Sequence, residues 1–184
     1  VHIVNYYDDY EFKTLPGFNS SKFSTAFSTA NPNYVKGYPA GSITKVPGSS
    51  TKLYSVNIYD IKGQIIQSLS ANHLDGYEAV ENTYTFTGKP KTVKHVHTSN
   101  ESKANKNTTE ENYTYNYDHA ERITSVNYTL GNNTITLATN TYDELGRLKS
   151  KSHHGSNANS ITDDYNIHGW KKHAMLKRRV QLYR

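Results

Sequence analysis

Three kinds of side chain in this sequence could do chemistry. His95 and His97, in the stretch KHVHT, alternate, so on a strand both rings leave the same face. A His-x-His pair can supply two ligands to zinc, which needs three or four at about 2 Å. His153, His154 or His168 would complete the set only where the chain folds back, and surface histidines are the default. Carboxylates come as adjacent pairs, Asp8-Asp9, Glu110-Glu111 and Asp163-Asp164. Neighbours on a strand point to opposite faces, so none of these makes a shared acid–base dyad. There is no Gly-x-Ser-x-Gly elbow and no phosphate-cradling glycine loop ahead of a helix. The expectation is no catalytic residue, no bound metal and no cofactor. The third kind is tyrosine, with 16 copies. Exposed in a row, the rings would form a platform for sugars. Packed in a ladder, they would brace a sheet by about 0.2–1 kcal/mol per cross-strand pair.

The elements that must carry these residues are strands. Hydrophobic residues make up 34% of the chain and the mean hydropathy is −0.81, with one Met and one Trp. Tyr, Thr, Asn and Ser suit pleated, half-wetted strands, because a Tyr ring packs while its hydroxyl stays near water. Long helices need more Leu, Ala and Glu than this. The fold class expected is all-β. With no Cys there is neither a disulfide framework nor a thiolate metal site. No apolar run approaches the roughly 18 residues of a membrane span. A start at Val1 reads as a processed protein or a piece of a longer one.

One phrase recurs. YDIKG spans Tyr59–Gly63, YTFTG Tyr84–Gly88, YDELG Tyr142–Gly146 and YNIHG Tyr165–Gly169. A further copy, YDHAE at Tyr117–Glu121, has Glu where Gly belongs. The chemistry is that of a turn. Asp60, Asp118, Asp143 and Asn166 suit the first position of a type I turn, where the side chain accepts a backbone N–H two residues on. Gly63, Gly88, Gly146 and Gly169 suit the closing position, which needs positive φ. Glu121 must then take positive φ at about 1 kcal/mol, with Ala120 and Glu121 exposed.

The copies start 23 to 33 residues apart, room for two strands of about eight residues and a return turn. Return turns are expected at Asn72–Gly76, Leu130–Asn133 and His153–Ser160, and a long exposed loop at Thr98–Asn112. About ten antiparallel strands should lie between Thr51 and Trp170. A further hairpin through Pro47-Gly48 should join Ile43–Val46 to Leu53–Tyr59. Residues 1–50 do not fit the repeat and read as an aromatic and polar lead-in. It would cover one sheet end with Phe12, Phe18, Phe23 and Phe27. Residues 51–170 form the repeat sheet, and 171–184 a basic tail unlike it. Lys171, Lys172, Lys177, Arg178, Arg179 and Arg184 account for the net charge of +5. A solvated end is the ordinary reading of such a tail, and no nucleic-acid partner is expected.

YDELGRL at Tyr142–Leu148 resembles the repeat of the Rhs or YD-repeat family. NIYDIKGQIIQS, NHLDGYEAVENTYTFTGK, YNYDHAERI and YNIHGW are similar, in that order, to large Rhs-type proteins of Bacteroidetes, over about Tyr38 to Trp170. The resemblance implies a meander of YD-repeat hairpins forming a curved or spiralling open sheet. In relatives such a sheet is the shell or carrier of a polypeptide effector. The expected role is therefore a non-catalytic scaffold of a secreted or cell-surface protein, with polypeptide cargo, other segments of a larger protein, or its own copies at the sheet edges as partners. The alternative is a carbohydrate-binding module using exposed tyrosines.

Overall fold

The structure, a computed structural model, describes residues 2–18, 21–101, 103–155 and 159–177. Alternating Thr, Tyr, Val and Ile give strands almost throughout. They are β1 (Ile3–Tyr7), β2 (Pro39–Lys45), β3 (Lys52–Tyr59), β4 (Ile65–Asn72), β5 (Gly76–Tyr84) and β6 (Pro90–Ser99). Then come β7 (Asn107–Tyr117), β8 (Ile123–Leu130), β9 (Asn133–Tyr142), β10 (Leu148–His153), β11 (Ser160–Tyr165) and β12 (Lys171–Lys177). A short 3-10 turn at Glu11–Thr14 and one helix, α1 (Ser21–Phe27), are the other elements among the described residues. The strands neighbour one another in sequence order from β1 to β12, an antiparallel meander without crossover. The all-β expectation holds. No described helix is long and apolar enough to cross a membrane.

Nine described strands, β3 to β11, occupy Thr51–Trp170, against an expectation of about ten. Hairpins turn at Asn72–Gly76 and Leu130–Asn133 as expected, residues 156–158 of the expected His153–Ser160 turn lie outside the described residues, and Pro47-Gly48 joins β2 to β3 with Ile43 opposite Tyr54. The segment Thr98–Asn112 is not one long loop. β6 runs on to Ser99 and β7 begins at Asn107. The Thr98 and Thr108 hydroxyls meet at 3.2 Å and Lys94 bridges Glu110 at 2.9 Å, so polar cross-strand pairs carry these strands into sequence that looks like loop. The basic tail also begins as a strand. β12 pairs with β11 from Tyr165 opposite Lys171 to Ser160 opposite Lys177, because the Asn166–Gly169 corner needs an outgoing arm. Arg178, Arg179 and Arg184 lie outside the described residues.

The chain forms two compact units, Val1–Glu111 and Asn112–Arg184. In the first, Val56, Leu69, Ala79 and Val96 stand opposite one another across β3 to β6 and make an apolar strip. The segment between β1 and β2 lays Tyr10, Phe12, Phe18 and Phe23 into the same core, all buried. Phe12 and Phe18 pack edge to face at 4.8 Å, and Phe18 meets Tyr54 at 5.1 Å. Burying each ring stabilises by about 1.5–3 kcal/mol. The Tyr10 hydroxyl donates to the Asn57 carbonyl at 2.8 Å. Burial, and then the neighbouring Tyr59, push the Tyr10 phenol up to about 12, so it stays neutral. Residues 1–50 thus do more than cover a sheet end. They add β1 and β2, and their aromatic residues pack on the face where the apolar strip lies.

The second unit is built differently. Among its described residues no apolar side chain is fully buried, and β8, β9 and β10 are half-buried along most of their length. Ring contacts such as Tyr113 with Tyr128 at 5.0 Å stand in for a core.

Glu121 takes the expected positive φ, 59°, in a non-helical corner. Ala120 is exposed as expected, but Glu121 is half-buried, its charge close enough to help raise the Tyr117 phenol after burial and Tyr115. Glu121→Gly should stabilise the protein by about 0.5–1 kcal/mol by relieving the left-handed backbone. Urea denaturation measures this, and a loss of stability would show that the Glu side chain matters more than its backbone strain.

Candidate functional site

The arrangement that recurs among the described residues is the corner itself, and it is the candidate site. Its first residue organises it. The Asp60 side chain accepts the Lys62 and Gln64 N–H groups at 2.8 and 2.9 Å, while its backbone carbonyl accepts Gly63 N–H at 3.0 Å. Asp118 takes Ala120 and Arg122 at 2.9 Å each, and Asp143 takes Leu145 and Arg147 at 3.0 and 2.8 Å. Asn166 does the same for His168 and Trp170, and the Thr85 hydroxyl accepts Lys89 N–H at 3.1 Å. The bond two residues on is the expected one. The bond four residues on, which fixes the outgoing arm, is additional.

Arg122 and Arg147 also fold back on their own corners, with guanidinium nitrogens 2.7 Å from Asp118 and Asp143. Hydrogen bonds from the Arg122 backbone and guanidinium hold the Asp118 carboxyl below its ordinary range. At Asp143 desolvation pushes up, but the same bonds from Arg147 outweigh it and the carboxyl is again lowered.

The tyrosines do not stand free. Tyr84, ending β5, donates its hydroxyl at 2.8 Å to the carbonyl of Ile65, which opens β4. Tyr142 donates to Ile123 at 2.8 Å, Tyr165 to Leu148 at 2.9 Å and Tyr59 to Pro39 at 2.9 Å. Each acceptor opens the arm that leaves the preceding corner. A second donor comes from two residues before the Tyr: Asn82 to Ile65 at 3.0 Å, Asn140 to Ile123 at 2.9 Å and Asn57 to Pro39 at 3.3 Å. A carbonyl has two lone pairs, and here both are used.

The residue after the turn's closing position covers the tyrosine of this latch. Arg122 lies over the Tyr142 ring at 4.4 Å, Arg147 over Tyr165 at 4.6 Å, and Tyr38 stacks on Tyr59 at 5.0 Å. At Gly88 and Gly146 the same residue lies against the next corner's glycine. A Cβ at Gly88 would sit 2.7 Å from Gln64, and one at Gly146 3.1 Å from Arg122, so these glycines make room as well as supplying positive φ.

One corner is interrupted, and the repeat alignment does not contain it. Asn5-x-Tyr7-Asp8 ends β1 as Asn57-x-Tyr59-Asp60 ends β3. Both strands shift register by one residue at the Tyr. Gly37 N–H reaches the Asp8 carboxylate at 2.6 Å, and Asp8 N–H reaches the Tyr38 carbonyl at 3.3 Å. Residues 9–36, the aromatic cover, are thus an insertion between the Asp and Gly of a first corner. The spacing Asn-x-Tyr-Asp was the signal available in the sequence.

The histidine pair does share a face, and a carboxylate fills the space between the rings. Glu78 contacts His97 Nδ1 at 2.6 Å and His95 Nε2 at 3.1 Å, and accepts from Asn72 at 3.0 Å. No group of three or more potential ligands suited to a metal occurs among the described residues. Burial pushes the Glu78 carboxyl up, but Asn72, His97 and His95 outweigh it and hold it below its ordinary value. Asp8-Asp9 and Asp163-Asp164 form no dyad. Asp163 is buried against Lys171 at 2.7 Å, while Asp164 is exposed.

Two measurements check this geometry. Tyr142→Phe and Asn140→Ala should each cost about 1 kcal/mol in urea denaturation. Together they should cost more than their sum, because the Ile123 carbonyl is orphaned only when both donors go. A simple sum would mean the acceptor is not shared. For Glu78 the lowered carboxyl contributes stability that is full above its unfolded value and lost as pH falls through its folded value. Glu78→Gln should therefore flatten the acid limb of stability against pH; an unchanged limb would remove Glu78 from that role. No protein-family model and no curated protein matches the chain.

Proposed function

We propose that this chain is a non-catalytic scaffold, a wall of YD-repeat corners that serves as shell or carrier for a polypeptide in a secreted or cell-surface Rhs-like protein. One observation carries the reading: the residues that recur are spent on joining each corner to the next. The Tyr59, Tyr84, Tyr142 and Tyr165 hydroxyls and the Asn57, Asn82 and Asn140 amides donate to the backbone, and the Asp118 and Asp143 carboxylates meet Arg122 and Arg147, so these groups are engaged within the scaffold. Four of the corners also present an apolar residue outward. Ile61, Phe86, Leu145 and Ile167, at the turn tips, are exposed in both units, and unrelated apolar tips on fixed corners suit contact with other polypeptide. The candidate partners are a polypeptide cargo, other segments of a larger protein, and further copies of the chain. Sugar binding by the motif tyrosines draws no support from hydroxyls already donated and rings already covered.

The test sets the two ligand classes against each other. Fluorescence anisotropy of a labelled, reduced and carboxymethylated lactalbumin should rise on titration with the protein, while a glycan array stays silent. Glycan binding lost in Tyr84→Phe and Tyr142→Phe, with no anisotropy change, would replace the scaffold by a carbohydrate module.

A further inference from the structure

The latch has two halves, and among the described residues the two end strands of the order carry one each without its counterpart. β1, the first strand in the order among the described residues, ends with the donor half, Asn5 and Tyr7. Tyr7 is 53% exposed, whereas its equivalent Tyr59 is 4% exposed under Tyr38. β12 opens with the acceptor half. Lys171 stands opposite Tyr165 as Leu148 stands opposite Tyr142 and Ile65 opposite Tyr59. Its carbonyl is therefore the equivalent of the Leu148 and Ile65 carbonyls that receive a Tyr hydroxyl. Trp170 follows Gly169 as Tyr38 follows Gly37 and Arg147 follows Gly146, the position that covers the next tyrosine ring. It is 73% exposed.

We infer that the occupant of each half is the other half on a second copy of this chain. β1 of one molecule pairs antiparallel with β12 of the next, so that the copies add head to tail. Extending the register of β10 and β11, in which Ser150 faces Thr162, sets a tyrosine opposite the residue after the turn glycine. Across copies this puts Tyr7 opposite Trp170, Tyr6 opposite Lys171 and Asn5 opposite Lys172. The Asn5 amide and Tyr7 hydroxyl then both donate to the Lys171 carbonyl, and Trp170 lies on the Tyr7 ring as Tyr38 lies on Tyr59. Charge agrees with this direction. Asp8 and Asp9 follow β1, while Lys171 and Lys172 open β12. The exposed Ile3 and Val4 on β1 are covered by the same step. Because the two surfaces differ, the contact is heterologous: it repeats in a chain or closes as a ring, and does not stop at a two-fold dimer.

The inference rests on the scaffold reading only in supposing that sheet edges pair, and self-assembly is read independently of cargo binding. Trp170 is the one tryptophan, which makes it the reporter. For the whole chain, sedimentation velocity should show a concentration-dependent series of dimer, trimer and larger species, weakened by salt. Trp170 emission should shift to the blue in step. Tyr7→Ser and Trp170→Ser change exposed residues and should keep the wild-type circular dichroism, yet each alone should remain monomeric. Mixed, they should form a 1:1 dimer and nothing larger, since only one intact donor half and one intact acceptor half remain to meet. A two-fold dimer as the largest wild-type species, or unaltered assembly in both variants, overturns the proposal. So does a monomer whose Trp170 emission is blue-shifted at every concentration, which would mean that the chain's own residues cover that edge.

Discussion

A carbonyl oxygen at the start of a strand has two lone pairs, and at Pro39, Ile65 and Ile123 both are claimed by the end of the next strand. That constraint organises the rest. A Tyr hydroxyl and an Asn amide can reach one oxygen together only if they leave the same face, which places them two residues apart on a strand. The Tyr must end its strand, because the acceptor lies where the neighbour begins. The corner must then open at once, with an acceptor side chain directly after the Tyr. Asn-x-Tyr-Asp is therefore one device, and the one-residue register shift at Tyr7, Tyr59 and Tyr142 belongs to it.

The device explains how so polar a chain holds a fold. The first unit buries an aromatic core, which a wide apolar strip and an inserted cover make possible. The second buries no apolar side chain fully among its described residues, and the latches at Ile123 and Leu148 bear more of its stability. Polar fastening of this kind is tolerable only when satisfied, since a half-buried carbonyl without a donor costs about 1–3 kcal/mol. Arg122 and Arg147 serve both ends of that requirement. Each neutralises the carboxylate of its own corner and shields the hydrogen-bonded Tyr of the next.

Much of this was legible in the sequence, and the part that was not has a physical reason. Turn chemistry is local, so Tyr-Asp-x-x-Gly announced its corners, and even Glu121 was readable as a strained member. Strand pairing between consecutive elements followed from spacing. The latch was hidden because its donor and acceptor lie 17 to 20 residues apart in sequence. A backbone acceptor also leaves no mark on residue identity. The corner at Asp8 and Gly37 was hidden because 28 residues separate its two halves. The strands at the edges of the Thr98–Asn112 segment were missed since their stabilising partners are Thr, Lys and Glu, which composition assigns to loops.

Variation among the corners shows what the geometry demands. Asp, Asn and Thr all serve as the first residue, because an acceptor oxygen at that reach is enough. Glu121 replaces glycine where the strain can be carried. Asp163 stands where Asn57, Asn82 and Asn140 stand, two residues before Tyr165. A carboxylate has no proton to give, so the Leu148 carbonyl keeps Tyr165 as its hydroxyl donor while Asp163 turns to Lys171 instead. That exchange moves a bond from the preceding arm to the following one, and it happens at the strand beside β12. The last described corner thereby fastens its outgoing arm with a side-chain ion pair as well as with the backbone ladder.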